Sequence, residues 1–114
     1  MIGSQLKVWN YSLKGNIMKR ITVTDNSGNF MGWFDLDAST EIAEIRSGSP
    51  YITGSILLVT ALGKLIINDW NNSGGDTYRF AEDDAEIAEI LASGCPTDQQ
   101  LSDKLADILA KYEI

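Results

Sequence analysis

The sequence predicts an α+β domain: a mainly antiparallel sheet of about five strands from two ββα units, with a C-terminal helix packed on one face. Short β-branched runs separated by turns rich in glycine and asparagine predict the strands. An apolar stripe of helical period near the end of the chain predicts the last helix. Three short motifs that recur in the same order indicate the two similar units.

The first seventeen residues differ in charge from the rest of the chain, because they contain two lysines and no acid. All sixteen carboxylate side chains lie after Met18. Read back through the genetic code, Lys14 to Met18 is compatible with a ribosome-binding sequence just before a start codon. We therefore expect a non-native leader at 1–17 and a single α+β domain at 18–114. The alternative is a strand around Leu6 to Leu13 that packs on the sheet.

The first unit begins with a hairpin. Ile21–Asp25 is β-branched, Asn26–Asn29 has turn composition, and Phe30–Leu36 returns as a second strand. Residues with capping side chains then precede Glu41–Ile45, for which we predict a short helix that ends at Gly48.

The second unit contains two further apolar runs, Ser55–Thr60 and Lys64–Asp69, joined by a short turn that contains glycine. The composition of Asn71–Asp76 predicts a loop, and Thr77–Ala81 alternates as a third strand. These segments predict an antiparallel meander.

Two helices follow the meander. Asp83 is a candidate N-cap with Glu86 at the reciprocal capping-box position, and Gly94 ends the first helix. A second helix is predicted after Thr97, with Thr97 and Gln100 as its capping box. We expect its apolar stripe to close the core of the domain rather than to bind a partner; the stripe contains Leu101, Leu105, Ile108, Leu109 and Tyr112.

Three motifs recur at a spacing of 45 or 46 residues, each within a predicted strand, turn, strand and helix. The recurrence indicates either an ancient ββα duplication or two units that solve the same local problem. The motifs are Glu-Ile-Ala-Glu-Ile at 41–45 and 86–90, Asn-Ser-Gly at 26–28 and 72–74, and Ser-Gly-X-Pro at 47–50 and 93–96.

The composition excludes several kinds of chemistry. The chain has no histidine, which removes imidazole bases and nearly all zinc or copper sites. Its one cysteine, Cys95, cannot form a disulfide framework. The net charge of −7 argues against direct binding to the phosphates of a nucleic acid and favours basic protein partners. Since no apolar run is long enough to span a bilayer, we expect a cytoplasmic protein without a membrane partner. We also expect a protein without a cofactor.

Acidic side chains cluster where a predicted strand leads into a predicted helix. They could act as a general acid and base or hold a hard cation. The alternative, which we favour, is that they cap helix N-termini. The two groups are Asp35, Asp37, Glu41 and Glu44, and Glu82, Asp83, Asp84, Glu86 and Glu89.

A pocket for a small polar ligand is a further candidate site. Asp69–Asn72 contains a tryptophan between polar side chains, and Trp33 and Tyr78 could lie nearby. The alternative is that Trp70 covers an edge of the core.

Three segments carry a family resemblance. Gly32–Ala38, Thr60–Asn68 and Gly75–Phe80 resemble a group of small, uncharacterised bacterial proteins carried on plasmids, phages and mobile gene cassettes such as those of integrons. The resemblance covers about 18–94 and rests on turns and strands. The chain departs from that group in having fewer aromatic residues around Trp70. The resemblance implies no catalytic residue, and a translated leader would suit a cassette gene.

The function we expect is that of a non-catalytic interaction module that forms a homo-oligomer, a dimer, through a sheet edge or an apolar face. One alternative is an acidic inhibitor of a host enzyme that processes nucleic acid, which would make a basic protein the partner. Another is a carboxylate-dependent enzyme. The surface we expect to contact a ligand or partner comprises Trp33, Asp35, Asp37, Trp70, Asn71, Asn72, Tyr78, Asp83 and Asp84.

Overall fold

The computed structural model describes residues 19–48, 52–96 and 101–114. The described residues form seven strands and two helices, so the α+β class is confirmed. A short 3₁₀ turn at Leu36–Ala38 separates the second and third strands. The elements in chain order are β1 Arg20–Thr24, β2 Phe30–Asp35, β3 Thr40–Ser47, β4 Thr53–Val59, β5 Leu65–Asn71, β6 Thr77–Phe80, α1 Asp84–Ser93, β7 Cys95–Pro96 and α2 Asp103–Lys111.

The strands form two antiparallel sheets. β1 and β2 make a two-stranded hairpin, whose register is interrupted near Thr24. The larger sheet has the order β6-β5-β4-β3, and the two-residue strand β7 pairs with the outer side of β3. Leu57 lies opposite Ala43 of β3 and Ile67 of β5, at the centre of this sheet.

Both faces of the larger sheet are covered. In β4 and β5, Leu57 and Ile67 belong to a core shared with the helices, whereas Leu58 and Ile66 belong to a core shared with the hairpin. All four side chains are at most 2% exposed. Because both faces are buried, these strands are continuous apolar runs rather than alternating ones. The described part of the chain therefore forms three layers: two helices, the larger sheet and the hairpin.

The apolar stripe of α2 closes the helix-side core. Leu105 and Ile108 are buried in it, Leu101 packs against it, and Tyr112 is 48% exposed. The expected packing is therefore confirmed for these three leucine and isoleucine residues, whereas Leu109 and Tyr112 lie outside this core. The helix begins later than expected, at Asp103 with Ser102 as N-cap. The capping box predicted at Thr97 and Gln100 lies outside the described residues.

The helix predicted at Glu41–Ile45 is wrong, because this segment lies within strand β3. The same pentapeptide at Glu86–Ile90 lies in helix α1. Five residues do not fix a helix by themselves, since nucleation is unfavourable and tertiary contacts decide. In β3, an irregularity between Glu41 and Ala43 allows the consecutive residues Ile42 and Ala43 both to be buried. The first unit therefore contains a strand where a ββα unit would have its helix.

The repeated Asn-Ser-Gly motif forms the same turn twice. Asp25 Oδ1 accepts a hydrogen bond from the Ser27 N–H, and Asn71 Oδ1 accepts one from the Ser73 N–H, both at 2.9 Å. A short polar side chain that bonds the backbone two residues on closes each turn. Both predicted turns are therefore confirmed.

Candidate functional site

Three large apolar side chains are exposed on one strand, β2. Phe30 is 66% exposed, Met31 53% and Trp33 46%, and we call these three residues the hairpin surface. Val23 and Phe34 of the same hairpin are buried against the larger sheet. The hairpin thus has apolar side chains on both of its faces. One face packs against the larger sheet, and the exposed apolar side chains on the other face are not needed for that packing.

β2 is an edge strand, since among the described residues it pairs with β1 alone. The Leu36 N–H donates to the Lys19 carbonyl at 2.9 Å, just beyond the end of the strand. Hydrogen-bonded and non-hydrogen-bonded pairs alternate along an antiparallel ladder. The backbone N–H and C=O groups of Asp35 and Trp33 therefore point away from β1, toward the outer edge. This edge combines backbone hydrogen-bonding groups with exposed apolar side chains, as a strand-pairing surface does.

The charged groups of the hairpin support its local structure. Asp35 Oδ1 accepts hydrogen bonds from the Lys19 and Asp37 N–H groups at 3.2 and 3.1 Å, so Asp35 caps the 3₁₀ turn. The Arg20 guanidinium lies 5.8 Å from the centroid of the Trp33 ring, in range of a cation–π contact. Asp35 therefore caps a helical turn, as the favoured interpretation of the acidic side chains predicts.

Trp70 lies over the larger sheet and is held there by a hydrogen bond. Its Nε1–H donates to Glu44 Oε2 at 2.8 Å, and the other oxygen of Glu44 pairs with Arg46 at 2.8 Å. Gly54 is its cross-strand partner, where a Cβ would come within 2.5 Å of the indole ring. The indole can approach β4 this closely only because residue 54 has no side chain.

A depression of about 370 Å³ lies beside this tryptophan. It brings together Asp69, Trp70 and Asn71 of the predicted pocket, along with hydroxyl groups of β4 and β6. Neither Trp33 nor Tyr78 lines it, so that part of the prediction is wrong. Tyr78 lies between the sheet and the hairpin, with its ring centroid 5.7 Å from that of Phe34.

Asn72, the remaining residue of the predicted pocket, lies in the exposed turn after β5. Its N–H donates to the Ile52 carbonyl at 2.9 Å, which ties this turn to the start of β4. The residues predicted to form one surface therefore lie in several separate places.

Arg79 links β5, β6 and α1. Its Nε donates to Asp69 Oδ2 at 2.7 Å, and its Nη1 and Nη2 donate to the two oxygens of Glu86 at 2.9 and 2.6 Å. The hydrogen bonds to Glu86 are the largest reason that the pKa of Arg79 is raised. They also lower the pKa of Glu86, although partial burial opposes this shift.

The acidic residues at the start of α1 also form hydrogen bonds and an ion pair. Asp83 Oδ1 accepts from the Glu86 N–H at 2.9 Å, so the predicted N-cap is confirmed. Glu86 Oε1 accepts from the Glu82 N–H at 2.9 Å, one residue before the N-cap, and not from the Asp83 N–H as the predicted capping box requires. Asp84 pairs with Lys111 of α2 at 2.5 Å. These carboxylates cap α1 and join the two helices.

Replacing Glu86 by glutamine should reduce the loss of stability in acid. Because the pKa of Glu86 is lower in the folded protein, its ionised form stabilises the fold above the unfolded-state pKa, and this contribution is lost as the pH falls. We expect Glu86→Gln to cost about 1–2 kcal/mol at pH 7 and to differ less from the wild type below about pH 4. Urea denaturation at both pH values measures this.

Glu89→Gln is the matched control, since Glu89 is exposed on the same helix. We expect Glu89→Gln to change the free energy of unfolding at pH 7 by less than about 0.5 kcal/mol. If Glu86→Gln lost as much stability as the wild type when the pH is lowered, the stabilising role of the ion pair between Arg79 and Glu86 would be contradicted.

The described residues contain no group of three or more cysteine or carboxylate side chains suited to hold a metal ion. Neither of the two described helices is long and apolar enough to cross a bilayer. Comparisons with family models, curated proteins and solved structures gave no match.

Proposed function

We propose that this protein is a non-catalytic interaction module that forms a dimer by pairing the outer edges of two β2 strands. The proposal rests on the outer edge of β2, with which no other strand of the described residues pairs, and on the exposed hairpin surface. Pairing would continue the hydrogen-bond ladder from one hairpin into the next. It would also place the apolar side chains of the two hairpin surfaces beside each other, so that each partly covers the other.

A second copy of the chain suits this edge for reasons of symmetry. Antiparallel pairing about a two-fold axis lets one strand supply both sides of the contact. The result would be a four-stranded sheet from two hairpins, in place of two marginal two-stranded ones.

The distribution of charge also favours a second copy at the hairpin. Residues 1–81 contain seven basic and seven acidic side chains, whereas residues 82–114 contain two basic and nine acidic ones. The net charge of −7 therefore lies entirely in the part of the chain with the two helices. The helices pack on the face of the larger sheet opposite to the hairpin. Two copies joined through their hairpins would keep these acidic layers apart.

The carboxylates support binding rather than catalysis. Asp35 and Asp83 accept backbone hydrogen bonds, and Asp84 and Glu86 are paired with cationic side chains. A general acid and base would need two carboxyl groups that face one substrate site. These groups instead hold separate parts of the fold together.

The proposal is tested by replacing Trp33 with lysine, which puts a charge on the pairing edge. We expect the wild-type mass in sedimentation equilibrium to rise with concentration toward twice the monomer mass. Trp33→Lys should weaken this association by about a hundredfold or more, the size expected for loss of a central aromatic contact.

Leu62→Lys is the matched control, because Leu62 is 87% exposed in the turn between β4 and β5. It also replaces an exposed apolar side chain with lysine, yet should leave association unchanged. Equal weakening by both variants, or a wild type that stays monomeric, would contradict the proposal.

A further inference from the structure

An apolar groove lies between the two helices, on the side of the molecule opposite to the hairpin. It has a volume of about 580 Å³ and its lining is mainly apolar. We call it the helix groove; its floor and walls include Ala85, Ala88, Ala92, Ala106, Leu109 and Ala110. Alanine side chains would allow the backbone of an incoming segment to approach closely.

The charged side chains that line the helix groove among the described residues are both acidic, Glu89 and Glu113. Lys104 and Lys111 of α2 border a different depression. Lys111 is paired with Asp84 there, and its Nζ lies 5.9 Å from the centroid of the Tyr112 ring, which lines the groove. Residues 82–114 hold the whole net charge, so the groove is formed by the most negative part of the sequence.

We propose that the helix groove docks a cationic amphipathic helix of a partner protein. An apolar groove between two helices accepts the apolar stripe of a third helix. Basic residues beside that stripe would face Glu89 and Glu113 and would be attracted by the surrounding negative field. This binding goes beyond the proposed self-association and uses other elements of the fold.

The probe is a synthetic peptide of about 15 residues, in which leucine and lysine are arranged with helical period. Methyl-labelled alanine reports the contact in the full chain. Five of the nine alanines, those at 85, 88, 92, 106 and 110, line the groove. Ala38 and Ala61 are exposed outside it and serve as internal references. We expect the five groove methyl signals to shift and the two references to stay fixed.

Two control peptides separate the groove from general charge attraction. One carries glutamate in place of lysine, and the other keeps every lysine but carries glutamine in place of leucine. We expect neither to shift the groove methyl signals at concentrations at which the probe does. Equal shifts with either control, or shifts in Ala38 and Ala61 as large as those in the groove, would overturn the proposal.

Ala92→Arg tests the groove from the protein side, with Ala61→Arg as its matched control. Both positions are exposed, so both variants should fold. Ala92→Arg should weaken binding of the probe by about tenfold or more, because it adds bulk and positive charge to the groove. Ala61→Arg should not. Equal affinities for both variants would overturn the proposal.

The groove and the hairpin surface can be tested independently. We expect Trp33→Lys, designed to remain monomeric, to bind the probe with wild-type affinity. Loss of probe binding in Trp33→Lys would contradict the proposal that the groove and the hairpin surface are separate binding surfaces. If the wild type bound the probe but did not self-associate, the groove proposal would be supported and the dimer proposal contradicted.

Discussion

Replacing Leu57 with alanine is expected to lower the free energy of unfolding by about 3 kcal/mol. Leu57 is 0% exposed, on the central strand β4, and belongs to the core shared with both helices. The substitution leaves a cavity beside the cross-strand neighbours Ala43 and Ile67. Both belong to hydrogen-bonded strands of the sheet, so they cannot move freely to fill it. Urea denaturation at a fixed protein concentration measures the change, since self-association would add to apparent stability.

The control is Leu62→Ala, which removes the same atoms from an exposed turn. Its effect should stay below about 0.5 kcal/mol. Similar losses in the two variants would contradict the placement of β4 between two covered faces.

Replacing Gly94 with alanine is expected to destabilise the fold by about 2 kcal/mol. Gly94 ends α1 where the chain meets β3, and a Cβ there would lie 2.5 Å from the Ile90 carbonyl oxygen and 2.7 Å from that of Glu44. Both atoms belong to the backbone, so no side chain can rotate away. The clash should exceed the stabilisation of about 0.4–1 kcal/mol that alanine gives by restricting the unfolded chain.

Ser93→Ala is the matched control, one residue earlier and exposed. Its unfolding midpoint should stay close to that of the wild type. An unchanged midpoint for Gly94→Ala would mean that α1 and β3 are farther apart than the structure has them.

Local signals predicted the turns and the start of α1, because these depend on a few neighbouring atoms. Asp25 and Asn71 close their turns with their own side chains, and Asp83 caps α1. Each of these bonds spans at most three residues, so sequence order alone brings the partners together.

The pentapeptide that occurs twice shows where local signals fail. At Glu86–Ile90 it follows an N-cap and continues into Leu91, which packs on the helix-side core. At Glu41–Ile45 it lies between β4 and β7, and backbone pairing on both sides makes it a strand. The difference comes from partners distant in the chain, which a local pattern does not contain.

The candidate site was predicted only in part for the same reason. Trp33 was identified from its residue type, but Phe30 and Met31 were not. The segment Phe30–Leu36 has apolar residues on both faces, so its pattern does not indicate which face is covered. Only the packing of Phe34 against the larger sheet shows that the hairpin surface is the exposed one.

Amide hydrogen exchange at Trp33 and Asp35 tests the proposed dimer most directly. The N–H groups of both residues point to the outer edge of β2, where a second copy would accept their hydrogen bonds. We predict that both amides exchange more slowly as protein concentration rises, while exposed amides near Leu62 do not change. Exchange at Trp33 and Asp35 that is independent of concentration would contradict it, even if the protein were found to be a dimer.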